Sequence, residues 1–78
     1  MPTDRPMTLA EKLPAIFTYH SPTGDQPDKY KAIRDKALEM AQVIVACTPT
    51  SADQTAAIRL LREAVMTANA SIALEGLV

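Results

Sequence analysis

The chain has 78 residues, with eight basic and nine acidic side chains, a formal net charge of −1, one cysteine and one histidine. That length holds one small domain with a modest core, and the charge lacks the strong basic excess that marks a binder of polymeric nucleic acid. Cys47 and His20, each alone of its kind, supply neither an internal disulfide nor a cysteine-rich metal site. No apolar run approaches the roughly 20 residues of a membrane span, and the first residues carry no signal-peptide apolar stretch. A cytoplasmic protein without membrane, metal or cofactor is the expectation.

Residues 1–7, with Pro2 and Pro6 and little to bury, read as a flexible arm, and residues 8–78 as one domain. Thr8-Leu9-Ala10-Glu11 fits a capping box that opens a short helix, which Pro14 is expected to end. Residues 15–27 contain Pro22, Gly24 and Pro27 and read as an ordered loop that Phe17 and Tyr19 anchor or line. Pro27 and Asp28 suit the first turn of a helix running to about Cys47. Its apolar stripe is Tyr30, Ile33, Ala37, Met40, Ile44 and Cys47, at alternating three- and four-residue spacing. Thr48-Pro49-Thr50-Ser51 breaks the pattern, and Ser51 with Gln54 reads as a second capping box. The last helix is expected over about 52–74, with a seam of Ile58, Leu61, Val65, Ala68 and Ile72 and with Gly76 as its C-terminal cap. The short break predicts an antiparallel hairpin, hence an all-α fold with a short N-terminal helix.

Both long helices carry more apolar surface than one partner covers, including Leu38, Val43 and Leu60. The run from Ala64 to Ala73 is crowded with small residues around Asn69, whose amide needs partners if buried and suits a residue that fixes the register of an assembly. Oligomerisation resolves both features.

Little here reads as catalytic. One histidine, one cysteine and scattered hydroxyls assemble no nucleophile with a base and an orienter. Cys47 falls on the apolar stripe and reads as a small buried residue, and His20 as a surface loop histidine. Glu63 reads as a solvated side chain or a partner of Arg59 or Arg62. The loop around Tyr19 carries more. A tyrosine ring offers a face on which a base stacks, worth about 1–3 kcal/mol; the opposing reading, a loop anchor, is favoured for Phe17 and stays level for Tyr19. Lys29, Lys31, Arg34 and Lys36 alone read as a solvated face. Beside a stacking tyrosine they can neutralise phosphate, and Arg34, next to the seam at Ile33, has the planar fork best suited to it.

Taken in order over residues 16–74, four motifs carry a resemblance: Phe17-x-Tyr19-His20-x-Pro22, Tyr30-x-x-Ile33-Arg34-x-x-Ala37, Pro49-x-Ser51, and Leu61-x-Glu63-Ala64-Val65-Met66-x-Ala68-Asn69-Ala70-x-Ile72-Ala73. The pattern is similar to the phage anti-CBASS cyclic-oligonucleotide sponges, which share a helical hairpin with some anti-Thoeris sponges. The resemblance implies a homohexamer in the bacterial host cytoplasm that sequesters cyclic dinucleotides of the cGAMP type, and cyclic trinucleotides at a second site, without chemistry. It places base stacking at Tyr19, with His20 and Pro22 in the same binding loop, and the basic contact at Arg34 or, failing that, Lys31. A late-helix arginine that serves the trinucleotide site in the family is Leu74 here, which puts that second site in doubt. Two other readings stay open: a sponge for a cyclic ADP-ribose-type signal, and a small interaction module whose hairpin docks a partner helix.

Overall fold

The computed structural model describes residues 6–77. Most of the expected arm, residues 1–5, lies outside them; Pro6 and Met7 are exposed and non-helical. Three helices follow, α1 (Leu9–Ile16), α2 (Gln26–Cys47) and α3 (Ala52–Ala73), and there is no strand among the described residues.

Local chemistry sets most of the helix ends. At α1 the capping box is complete: the Thr8 hydroxyl accepts from the Glu11 amide at 3.2 Å, and the Glu11 carboxylate accepts from the Thr8 amide at 3.1 Å. Pro14, however, does not end the helix, which runs on to Ile16. The ring costs one intrahelical bond, from residue 14 to Ala10. Bonds on either side persist, Lys12 to Thr8 at 3.2 Å and Phe17 to Leu13 at 3.1 Å, so two turns survive.

At the start of α3 the Ser51 hydroxyl accepts from the Gln54 amide at 3.1 Å, as the sequence implies. The Gln54 side chain does not complete the box. It reaches across the turn and donates to the Thr48 carbonyl and hydroxyl, each at 3.1 Å. Gln54 therefore ties α3 to the end of α2 instead of capping its own helix.

The C-terminal cap also differs from expectation. Gly76 donates to Ser71 at 2.9 Å and Glu75 to Ile72 at 3.2 Å, the paired bonds of a Schellman motif. In that motif the left-handed position following the cap residue Leu74 belongs to Glu75, at φ 51°, and Gly76 follows at φ 78°. A residue with a Cβ thus occupies the position glycine favours, at a cost of about 1 kcal/mol.

α2 and α3 pack along their lengths, while α1 packs on neither. Their order is antiparallel: Gln26, the first residue of α2, donates through Nε2 to the carbonyl of Ile72 near the end of α3 at 3.1 Å. Half-buried Tyr30, Ile33, Ala37, Ala41 and Ile44 face half-buried Ile58, Leu61, Val65, Ala68 and Ile72. This is the seam that the alternating spacing predicts, with Ala41 in place of the exposed Met40.

Among the described residues no side chain is fully buried. Leu60 and Leu38 remain 62% and 59% exposed. Cys47 is exposed too, against its reading as a small core residue. It is the last residue of α2, where the chain turns and α3 has no side chain yet to cover it. The chain exposes 6251 Å², against about 4,600 Å² for a compact monomer of this mass. Its radius of gyration is 16.7 Å, against roughly 11–12 Å.

Candidate functional site

The loop between α1 and α2 is held at three points. Thr18 donates through its hydroxyl to the Pro14 carbonyl, which binds the start of the loop to the end of α1. His20 Nε2 lies 2.7 Å from the Ala15 carbonyl. A carbonyl only accepts, so Nε2 carries the proton and Nδ1 is left over for another contact. At the far end Gly24, at φ 57°, turns the chain so that the Gln26 amide donates to Thr23 at 3.0 Å. The Gln26 side chain returns the bond, its Oε1 accepting from the Thr23 amide at 3.0 Å.

Gln26 is therefore the residue that fixes the loop against the hairpin. One end of its amide holds Thr23, and the other holds Ile72, 46 residues away in sequence. The tether creates an open groove of about 500 Å³, within the ordinary range for ligand clefts. The loop side is lined by Ala15, Tyr19, His20, Ser21 and Thr23. The opposite wall is the end of α3 and its cap: Ala73, Leu74, Glu75 and Leu77.

Two of the expected site residues, Tyr19 and His20, line this groove. Tyr19 is 82% exposed, so its ring is not buried as a loop anchor, and a face is available for stacking. Phe17, expected to be an anchor, is 83% exposed, because α1 does not lie on the hairpin and the ring has nothing to cover. Pro22 sits between two groove residues without lining the groove.

The cations lie elsewhere. Lys31 and Arg34 are exposed on α2 and do not line the groove. Lys31 is ion-paired with Asp35 one turn on, and that contact, with the fields of Arg34 and Lys36 added, holds the Asp35 carboxyl below its ordinary value. Lys29 pairs with Asp25 at 3.3 Å and Lys36 with Glu39 at 3.2 Å. Arg34 has no ion pair among the described residues, nor do Arg59 and Arg62, and Glu63 is exposed and pairs with neither. The lysines of α2 are thus neutralised locally, while among the described residues the Arg34 guanidinium is not. Among the described residues no three of His, Cys, Asp and Glu converge as metal ligands, and no helix is long and apolar enough to cross a membrane.

Sequence reasoning missed two residues, Gln26 and Glu75. Glutamine at a helix start carries no signal of a partner 46 residues away. Gly76 drew the eye as the cap and hid its neighbour.

A helical hairpin with a tethered N-terminal loop and an exposed tyrosine over an open groove describes a small binding domain. A family profile described as "Acb2/Tad1, hairpin domain" matches residues 11–73. The chain belongs to this family, that of the anti-CBASS and anti-Thoeris sponges, whose role is to bind cyclic-nucleotide signals. No curated protein and no solved structure matches the chain.

Proposed function

We propose that the protein is a non-catalytic sponge that binds cyclic dinucleotide immune signals and withholds them from their effectors, in the manner of CBASS evasion. The observation that carries this reading is Tyr19: an exposed aromatic ring on the wall of an open groove, in a chain of the sponge family. The sponge acts by mass action. Each occupied site removes one signal molecule, so it must bind tightly and outnumber the signal.

A cyclic dinucleotide is a dianion, yet among the described residues no arginine or lysine lines one protomer's groove. In this reading the site is completed between protomers: Tyr19 stacks on a base and Arg34 of a neighbouring copy neutralises a phosphate. The protomer's unburied seam flanks and large exposed area support such an assembly, the hexamer that the resemblance implies. The family description spans two kinds of sponge, so a cyclic ADP-ribose-type signal is the second reading. It needs one stacking ring and a phosphate contact in the same way.

Both readings are tested by incubating the protein with a panel of cyclic nucleotides, filtering it, and denaturing the retained fraction. A sponge returns its ligand intact, and the retained ligand names the signal. Calorimetry then tests the site. Tyr19→Ala is expected to cost about 1–3 kcal/mol of binding, while Tyr19→Phe, which keeps the ring, costs much less. Unchanged affinity in both variants refutes stacking at Tyr19, and release of an altered nucleotide refutes the non-catalytic reading.

A further inference from the structure

We infer that Glu75 reads the edge of the base that Tyr19 stacks, and that the site therefore prefers guanine over adenine. The inference rests on the sponge reading and adds to it the chemical identity of the base.

Glu75 lines the groove on the wall opposite the Tyr19 loop, and it also lines the adjoining depression beside Gln26 and Lys29. Its side chain is exposed and has no ion pair or hydrogen bond among the described residues. Lys29, which lines the adjoining depression with it, is held by Asp25 at 3.3 Å. Among the described residues that line the groove, Glu75 is the one Asp, Glu, Lys or Arg, and its carboxylate has no partner there.

For a ligand that carries two phosphates, such a carboxylate is a liability unless it meets a donor. An ionised carboxylate only accepts hydrogen bonds, through two oxygens in a fork. Guanine presents N1–H and N2–H side by side on its Watson–Crick edge, a matched pair of donors. Adenine presents one donor, N6–H, beside the bare lone pair of N1, which a carboxylate repels. A tyrosine face is tolerant of any base; of the polar groups that line the groove, which include His20, Ser21 and Thr23, the carboxylate is the one that accepts from both of guanine's donors at once.

The backbone adds an independent sign. Glu75 holds φ 51°, a conformation that favours glycine, although Gly76 stands one residue away. Strain of this kind clusters at ligand sites, where the side chain gained is worth the conformation.

Calorimetry on the full chain with cyclic di-GMP and cyclic di-AMP tests the inference. The unmodified protein is expected to bind cyclic di-GMP roughly 10- to 100-fold tighter, the discrimination of one good bidentate pair. Glu75→Gln, whose amide suits adenine as well as guanine, is expected to shrink that ratio to a few-fold. Glu75→Gly is expected to abolish it while raising the melting temperature, so a loss of preference is not a loss of fold. Equal binding of both ligands by the unmodified protein, or a preference that survives both substitutions, overturns the role of Glu75 and leaves the sponge reading intact. Absence of binding by either ligand, with Tyr19→Ala no different, refutes the dinucleotide reading and this inference together.

Discussion

Removal of the Gln26 amide tests whether the groove is a built feature of the fold. Gln26→Ala deletes two hydrogen bonds, the 3.0 Å contact from Thr23 and the 3.1 Å contact to Ile72. Each is worth about 0.5–1.5 kcal/mol. The Thr23 bond is solvent-exposed and falls at the low end, while the Ile72 bond is partly buried. The expected loss is about 1–2 kcal/mol, or a fall in Tm of roughly 5–10 °C for a domain of this size at fixed protein concentration. Stability alone does not isolate the tether, so Gln54→Ala is the control. It cuts the bonds to Thr48 at the opposite end of the hairpin, costs a similar amount, and touches nothing in the groove. Circular dichroism melts of both variants, amide exchange at Thr23 and calorimetry with a cyclic dinucleotide separate the effects. Gln26→Ala is expected to speed exchange at Thr23 and weaken binding at least tenfold; Gln54→Ala leaves both near the unmodified values. Gln26→Glu keeps an acceptor for Thr23 but loses the donor to Ile72, and falls between the two in binding. Equal binding by Gln26→Ala and Gln54→Ala would show that the groove does not depend on this side chain.

Light scattering is expected to give a mass several times the 8.4 kDa chain; a clean monomer at micromolar concentration removes the shared site. Glu75→Gly relieves the left-handed strain and is expected to add about 1 kcal/mol, or about 4–8 °C in Tm, and an unchanged or lower Tm refutes the strain. The folded Asp35 pKa is depressed, so its pairing with Lys31 is present above the unfolded carboxylate value of about 4 and is lost as pH falls through the lower folded value. Between pH 5 and 8 the pair stays formed and ligand affinity is expected to be flat on its account. Asp35→Asn, which frees Lys31, is expected to change affinity less than twofold while Arg34→Ala lowers it at least tenfold; the reverse result makes Lys31 the phosphate contact. Cyclic trinucleotide binding is expected to be weak, because Leu74 supplies no cation where the resemblance places an arginine, and Leu74→Arg is expected to strengthen it; tight binding by the unmodified chain refutes this.

The three helices are legible in the sequence because their ends are set by neighbours. Thr8 and Glu11, Ser51 and Gln54, and Pro27 in the first turn of α2 each act within four residues, and the boundaries agree with expectation to within a residue or two at all but the end of α1. Where one rule met another, the reading slipped. Pro14 removes one bond from a helix that keeps the bonds flanking it, so a breaker became a tolerated residue. Gln54 had two uses for its amide and took the one across the turn. The groove was not legible, because it depends on the bond from Gln26 to Ile72, a contact with no local trace. Cys47 and Phe17 show the same limit in reverse: periodicity states which face is apolar, not whether another element arrives to cover it.

The features that fit a lone hairpin poorly are those that a second copy would put to use. Asn69 Oδ1 is shut off from solvent and has no hydrogen-bond partner among the described residues. An orphaned acceptor of this kind costs about 1–3 kcal/mol, a large fraction of what so small a domain has to spare. It lies among Ala64, Ala68 and Ala70, on a helix whose small side chains let another backbone come close. Beside it, the groove between α2 and α3 is lined by Ile33, Ala37, Met40, Leu61, Val65 and Ala68 with little polar surface, and it stands open. The proposed ligand site divides in the same way, with Tyr19 on the groove and Arg34, which has no ion pair among the described residues, away from it. A neighbouring protomer that covers the open seam, donates to Asn69 and presents Arg34 to the groove meets all three demands at once. Assembly and ligand binding are then one property of the sequence, and a substitution that breaks the first, such as Ala68→Arg on the small-residue face, is expected to abolish the second although it touches no ligand atom. An Ala68→Arg chain that is monomeric by light scattering yet binds a cyclic dinucleotide with unmodified affinity would separate the two and place the whole site within one hairpin.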